Sequence, residues 1–192
     1  MYVLASASPR RRELLQLVLP SFTVRPAECD ETCDLQDPHS LVTELARRKC
    51  RAAVAIRSPD EVIIAADTLV FLNGQPLGKP RTEAEARDML RRLSGNTHQV
   101  CTAYALWAKG RETVCCVESE VTFFPLTEEE IAAYVATGEP MDKAGAYGIQ
   151  GKGALLVDRI RGDYYNIVGL PVSHLARTMA ALGLLPEERN RV

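Results

Sequence analysis

A serine and three consecutive arginines near the start of the chain form the segment whose residue types most clearly suggest chemistry. A short apolar run is followed by Ser8, Pro9, Arg10, Arg11 and Arg12. Ser8 is a good N-cap and Pro9 suits the first helical position, so we expect a strand that ends at the start of a helix. Basic residues are unfavourable at the positive end of a helix dipole, whereas Arg binds phosphate through two parallel hydrogen bonds. The segment therefore suggests an anion site, with a solvated basic turn as the alternative.

A carboxylate interrupts the most apolar stretch of the chain. Residues 62–71 predict a strand that is buried on both faces, and Asp67 and Thr68 are its polar residues. A buried carboxylate is costly unless it is paired, hydrogen-bonded or bound to metal. Asp67 is therefore either half of a structural pair or a group that binds metal or transfers a proton.

Two further groups of charged residues have both a chemical and a structural interpretation. Residues 37–56 have helical apolar periodicity, and Lys49 lies at the centre of the apolar stripe. Its side chain either covers the edge of the core or points into a cleft towards phosphate. Residues 28–31, which include Glu31, form an acidic loop that could supply oxygen ligands for Mg²⁺ or Mn²⁺, although most such loops are merely solvated.

Residues 143–153 are rich in glycine, with Gly at positions 145, 148, 151 and 153. Such a backbone can approach a ligand closely, and a plain connection in a hairpin is the alternative. The segment is not a phosphate-binding P-loop. That motif requires Gly where Ala146 stands and Ser or Thr where Gly153 stands.

The elements that must position these residues alternate between strand-like and helical patterns, which indicates an α/β fold. Asn73 and Gly74 predict a hairpin turn after the apolar strand, and Lys109 and Gly110 predict a second one. Further strands are predicted at residues 2–4, 22–25, 99–108, 113–124, 154–160 and 164–168. Helices are predicted at residues 9–17, 37–56, 82–93, 127–137 and 173–182.

Length and charge limit the class of protein. With 192 residues, 46% of them hydrophobic, the chain can form one domain or two small lobes. Its net charge of -2 gives no general attraction to nucleic acid or to a membrane surface. The sequence has no apolar run that approaches the ~20 residues of a membrane span and no signal-peptide pattern. We interpret the six cysteines as free thiols in a reducing cytoplasm and assign no chemistry to the three histidines.

Six motifs together resemble the Maf family of nucleoside triphosphate pyrophosphatases. Each motif is weak alone, but the ordered set covers residues 1 to 185. The motifs are SASPRR at residues 6–11, ADT at 66–68, GKP at 78–80, LSG at 93–95 with Thr97 and His98, DKAGAYGIQG at 142–151 and GDYYNIVGLP at 162–171.

The resemblance implies a single domain over residues 1–192, with two lobes around one cleft. It implies an elongated mixed sheet flanked by helices, with a deep central cleft, similar to inosine triphosphate pyrophosphatases. It also implies hydrolysis of a nucleoside triphosphate to the monophosphate and pyrophosphate with Mg²⁺ or Mn²⁺, an activity that can remove non-standard nucleotides. A cytoplasmic protein without nucleic-acid or membrane partners is expected, and a homodimer is left open.

The resemblance also assigns roles to individual residues. Asp67 takes the position of the general base, and with Glu31 it could ligate the metal. Arg10, Thr68 and Gln150 take positions linked to substrate choice. Ser8, Arg11, Lys49 and Lys79 line the phosphate site, whereas Arg12 lies outside the positions carried over.

The glycine-rich motif points to one branch of the family and leaves two alternatives. The form Gly-Ile-Gln-Gly, which contains Gln150, resembles the branch that acts on dTTP and UTP, and Ser-Glu-Gly marks the branch that acts on 7-methyl-GTP. The amide of Gln150 offers a donor and an acceptor, as does the edge of uracil or thymine. A nucleotide-binding regulator of cell division, with incidental hydrolysis, is the alternative from a different functional class.

Overall fold

A mixed sheet of seven strands forms the centre of the protein, in the order β2-β1-β3-β5-β6-β7 with β4 paired to β3. The computed structural model describes residues 1–186, so residues 187–192 of the expected single domain lie outside the described residues. The strands are β1 (Tyr2–Leu4), β2 (Thr23–Val24), β3 (Val62–Leu72), β4 (Gln75–Leu77), β5 (Thr97–Ala108), β6 (Arg111–Phe123) and β7 (Val157–Arg161). The helices are α1 (Pro9–Gln16), α2 (Pro38–Ala55), α3 (Glu83–Leu93), α4 (Glu128–Val135), α5 (Tyr164–Val168) and α6 (Val172–Ala181).

Strand β3 is the element on which both faces of the core depend. It pairs in parallel with β1 and antiparallel with β5 over nine positions, from Ile63 opposite Trp107 to Phe71 opposite Gln99. Ile63 packs with α2 on one face of the sheet, whereas Ile64 packs on the other face with residues of α1, α3, α4 and α6. The prediction of a strand buried on both faces is confirmed.

Helix α2 covers the face of the sheet that Asp67 occupies. Asp37 caps it by accepting a hydrogen bond from the Ser40 N–H at 2.8 Å. Its buried side includes Leu45, Ala46, Cys50 and Ala53. Because residues three and four apart share a helix face, Lys49 lies on this same side and is directed towards β3.

Two hairpin turns are also confirmed. The backbone at Asn73 and Gly74 has φ of 52° and 75°, and that at Lys109 and Gly110 has φ of 52° and 76°. Two consecutive positive φ angles match the tight turns whose twist suits a hairpin. The first turn returns the chain along β4, and Lys79 follows two residues after the end of that strand.

The prediction of a strand at residues 164–168 is wrong, because these residues form α5. The aromatic and β-branched composition favours a strand. However, Asp163 accepts a hydrogen bond from the Tyr165 N–H at 2.8 Å, and Gly169 ends the helix with φ of 125°. The strand predicted from residue 154 starts later, since residues 151–156 form a 3₁₀ turn before β7.

Tertiary hydrogen bonds explain why residues 164–168 form a helix although their composition favours a strand. Asn166 is fully buried, and its amide oxygen accepts from the Thr102 N–H at 3.0 Å. The amide nitrogen donates to the Val100 carbonyl at 2.8 Å and to Ser119 Oγ at 2.9 Å. The Thr102 hydroxyl donates to the Asn166 carbonyl at 2.7 Å. Side chain and backbone together attach α5 to β5 and β6.

Within residues 1–186, no helix combines the length and the apolar character that a membrane crossing requires.

The substitution Asn166→Ala tests this attachment. It leaves buried backbone groups of β5 without partners, and each unsatisfied group costs about 1–3 kcal/mol. We expect the free energy of unfolding in urea to fall by at least about 2 kcal/mol. Asn96→Ala is the control, because Asn96 makes its two amide hydrogen bonds on the surface. Equal losses in the two variants would contradict the role of Asn166.

Candidate active site

The site predicted from the sequence forms one cavity of about 490 Å³. It lies between the start of α1, the middle of β3 and the segments at residues 139–151 and 167–169. Glu31, by contrast, does not line it. The predicted residues that do line it are Ser8, Arg10, Arg11, Lys49, Asp67, Thr68, Lys79 and Gln150.

The start of α1 presents a free backbone donor to this cavity. Ser8 is the N-cap, as predicted, and its hydroxyl accepts from the Arg11 N–H at 3.4 Å. The Arg12 N–H donates to the Ser8 carbonyl at 3.2 Å, and Pro9 has no N–H. Among the described residues, the Arg10 N–H therefore keeps no partner and is available to an anion at a helix N-terminus.

Arg11 connects three elements around the cavity. Its Nε donates to the Gly169 carbonyl at 2.9 Å, and its Nη2 donates to Thr68 Oγ1 at 2.9 Å. Its Nη1 donates to Ser6 Oγ at 3.4 Å. Burial lowers the pKa of the guanidinium, although the nearby Asp67 charge opposes that shift. The positive charge of Arg11 at a helix N-terminus is thus explained by its hydrogen bonds, which connect α1 to β3.

Thr68 continues this network into the sheet. Its hydroxyl lies 2.9 Å from the hydroxyl of Thr102, which in turn is held by Asn166. The Thr68 hydroxyl is thus engaged by both Arg11 and Thr102. A substrate would therefore meet Thr68 as part of a fixed network rather than as a freely rotating hydroxyl.

Asp67 and Lys49 form an ion pair at the floor of the cavity. Nζ of Lys49 lies 2.5 Å from Oδ1 of Asp67 and 3.0 Å from Oε1 of Glu31. Asp67 is 7% exposed. Of the two interpretations of Lys49, the structure favours the one that directs it into the cleft.

The electrostatic environment of Lys49 keeps its ammonium charged. Burial lowers the pKa of Lys49, but Asp67 and Glu31 together outweigh it, so its pKa lies above the ordinary value. An anion with more than one negative charge that enters the cavity would attract this ammonium strongly, because buried charges interact through a low dielectric.

The carboxylates of the cavity differ in what they could offer a metal ion. Oδ2 of Asp67 accepts no hydrogen bond from the described residues, whereas Asp142 pairs with Lys143. Glu31 lies beyond the ammonium of Lys49, with its side chain 61% exposed. Mg²⁺ commonly uses one or two carboxylates together with substrate phosphates. The Asp67 carboxylate fits that kind of shared site better than it fits a cage of protein ligands.

Three predicted residues keep their side chains free in this structure. Within residues 1–186, the side chains of Arg10, Lys79 and Gln150 form no hydrogen bond or ion pair, and all three line the cavity. A free cation at each of Arg10 and Lys79 leaves its hydrogen-bonding capacity for a ligand. The Gln150 amide is likewise unrestrained in orientation.

The glycine-rich segment wraps around a carboxylate instead of forming a hairpin. Glu139 accepts hydrogen bonds from the Lys152 N–H at 3.0 Å and the Gly153 N–H at 3.1 Å. It also accepts one from the Tyr134 hydroxyl at 3.0 Å. A Cβ at position 153 would lie 2.2 Å from the Gly148 carbonyl oxygen, so this close turn requires glycine. These contacts fix the backbone on either side of Gln150.

The comparison with known protein families agrees with the motifs. The family model described as Maf-like protein matches residues 1–182. The chain belongs to the Maf family.

Two relatives of this Maf chain cover nearly its whole length. A Thermococcus kodakarensis protein named dTTP/UTP pyrophosphatase is 51% identical over 172 residues, which are 90% of this chain and 92% of that protein. A Bacillus velezensis protein of the same name is 50% identical over 181 residues, 94% of each chain.

A solved structure supports the fold of the Maf chain. The HAM1 protein from Coxiella burnetii superposes with a TM-score of 0.52 at 17% identity, over 94% of this chain and 98% of that one. At that identity the likeness concerns the fold, and it confirms the expected mixed sheet flanked by helices.

Sequence reasoning missed two residues that shape the cleft of this Maf protein. Glu139 follows a helix end and gives no local sign that it will accept hydrogen bonds from backbone N–H groups 13 and 14 residues further along. His98 is buried and lies 2.8 Å from the Tyr147 hydroxyl through Nε2, with Tyr147 in turn lining the cavity. Burial lowers the pKa of His98 to about 4, so the imidazole is neutral at pH 7. The sequence signal for His98 was its occurrence beside Thr97 in one of the family motifs, but the sequence analysis assigned no chemistry to the histidines.

Proposed function

We propose that the cleft hydrolyses nucleoside triphosphates to the monophosphate and pyrophosphate, with dTTP and UTP as its substrates. The observation that carries the proposal is the Asp67–Lys49 pair, a base and a cation 2.5 Å apart in a cavity with further cations. The names of the two relatives at 51% and 50% identity support the same substrates.

Four cations are available in the cavity for a triphosphate. Arg10, Arg11, Lys49 and Lys79 all line the cavity, and the free Arg10 N–H adds a backbone donor. Positive groups that are fixed before the reaction stabilise the charge that develops on phosphate oxygens. This supports a phosphate site at the end of the cleft where α1 begins.

Asp67 is the base in this proposal. When a triphosphate enters, the Lys49 ammonium shifts towards the phosphate oxygens, and Oδ1 of Asp67 loses its donor. The carboxylate then accepts a proton from a water molecule as the water oxygen attacks the α-phosphorus. The bond from the α-phosphorus to the bridging oxygen breaks, and pyrophosphate leaves with that oxygen.

A divalent cation belongs to the proposal as a partner of the triphosphate. Mg²⁺ or Mn²⁺ would be held by the Asp67 carboxylate and phosphate oxygens, and would neutralise charge on the triphosphate. Glu31 could join only after Lys49 moves, since the ammonium now lies between the two carboxylates.

Gln150 is the proposed contact for the nucleobase of the substrate. Its amide can pair with the adjacent N–H and C=O of uracil or thymine. Because no described side chain holds the amide, it can also flip to meet cytosine. We therefore expect discrimination against CTP to be modest and to depend on the amide itself.

The substitution Asp67→Asn tests the catalytic step. An amide cannot accept the proton, so pyrophosphate release from UTP should fall at least about 100-fold. Asp158→Asn is the control, because Asp158 is exposed on β7. Folding is checked by thermal melting. Near-normal turnover by a well-folded Asp67→Asn protein would contradict the role of Asp67 as the base, whereas no turnover by the unmodified protein would favour a regulator that only binds nucleotides.

The choice of nucleotide is tested by measuring kcat/KM for dTTP, UTP, CTP, ATP and GTP. We expect dTTP and UTP to give the highest values. In Gln150→Glu the carboxylate cannot donate to the nucleobase C=O, so the ratio of the UTP value to the CTP value should fall towards one. Gln75→Glu, on β4, should leave that ratio unchanged. Equal values for GTP and UTP in the unmodified protein would refute the substrate choice but not the pyrophosphatase activity.

A further inference from the structure

A second group of metal-ligating side chains lies outside the cleft, where α2 begins beside the β5–β6 hairpin. His39, Cys101 and Glu118 each place one ligand atom within 4.8 Å of the other two. Cys101 and Glu118 are directly opposite each other in the β5–β6 register, and His39 is the second residue of α2. None of the three lines the cavity described above.

The three ligand atoms are spaced much as a tetrahedral zinc ion requires. Nε2 of His39 lies 2.8 Å from Oε2 of Glu118, and Sγ of Cys101 lies 3.8 Å from the same oxygen. Bond lengths of about 2.0–2.3 Å to a tetrahedral Zn²⁺ separate its ligand atoms by roughly 3.3–3.8 Å. Moving Nε2 of His39 and Oε2 of Glu118 apart by about half an ångström brings both of these distances into that range.

A simple surface ion pair explains only part of this arrangement. His39 and Glu118 form such a pair, with side chains 50% and 30% exposed. The Cys101 thiol is fully buried yet points at the same carboxylate oxygen, although a thiol is a weak donor. A buried sulfur, an imidazole and a carboxylate that meet at one point form a mixed donor set of the kind that binds zinc.

Cys116 is a candidate fourth ligand beside this group, although its thiol is not among the three ligand atoms that lie within 4.8 Å of one another. It lies two residues before Glu118 on β6, so both side chains project from the same face of the sheet. Its thiol interacts with Cys101 and His39. Thiolate ligands select Zn²⁺ over Mg²⁺, which prefers oxygen.

We propose that His39, Cys101, Cys116 and Glu118 form a Zn²⁺ site that fastens the N-terminus of α2 to the β5–β6 hairpin. Binding replaces the thiol protons, which are released to solvent, and involves no change of oxidation state. Helix α2 also carries Lys49, ten residues or about 15 Å further along. The site thus secures the helix that delivers the cleft lysine, and it is independent of the reaction in the cleft.

The experiment is a titration of the full-length protein, stripped with a chelator and kept reduced, with Co²⁺ and then Zn²⁺. We expect one Co²⁺ per chain with a thiolate-to-metal charge-transfer band, displaced by Zn²⁺, and a higher melting temperature with Zn²⁺. His39→Asn and Cys101→Ser should each weaken Zn²⁺ binding at least about tenfold. His39 is partly exposed, so its variant tests the site even if Cys101→Ser fails to fold.

Two matched controls separate this site from other thiols and from the cleft. Cys115→Ser changes the neighbouring thiol on the opposite face of β6 and should bind Zn²⁺ normally, as should Asp67→Asn. The absence of a thiolate band, unchanged affinity in His39→Asn, or a loss of binding in either control would overturn the proposal.

Discussion

The ion pair between Lys49 and Asp67 is the interaction on which the cleft depends. A carboxylate in the middle of a strand buried on both faces is costly, and here an ammonium 2.5 Å away offsets that cost. Buried ion pairs are often no more stabilising than an apolar pair of the same volume, because both charges must be desolvated. The pair is therefore better explained by its role in the proposed reaction than by stability.

Several parts of the fold cooperate to place this pair. The Asp37 cap and the apolar face of α2 direct Lys49 at β3, while the pairing of β3 with β5 fixes the position of Asp67. Arg11 holds the start of α1 against Thr68 and Gly169, which closes the opposite side of the cavity.

The sequence predicted the parts of the site that have a local signature. Ser8 as a cap, Asp67 as the polar residue of an apolar strand and Lys49 on an apolar stripe all lie where those patterns placed them. The helix at residues 164–168 was mispredicted because Asn166 gains its hydrogen bonds from β5 and β6, which are distant in sequence. Glu139 and His98 were missed for the same reason, since their partners are fixed by the tertiary fold and not by neighbouring residues.

A double-mutant cycle on Lys49 and Asp67 tests the central claim most directly. kcat/KM for UTP would be measured for the unmodified protein, Lys49→Met, Asp67→Asn and the double variant, each checked for folding by its melting temperature. If the two residues act as one unit, each single change lowers kcat/KM and the double variant is little worse than the poorer single one. Independent effects, in which the two losses multiply, would contradict the account.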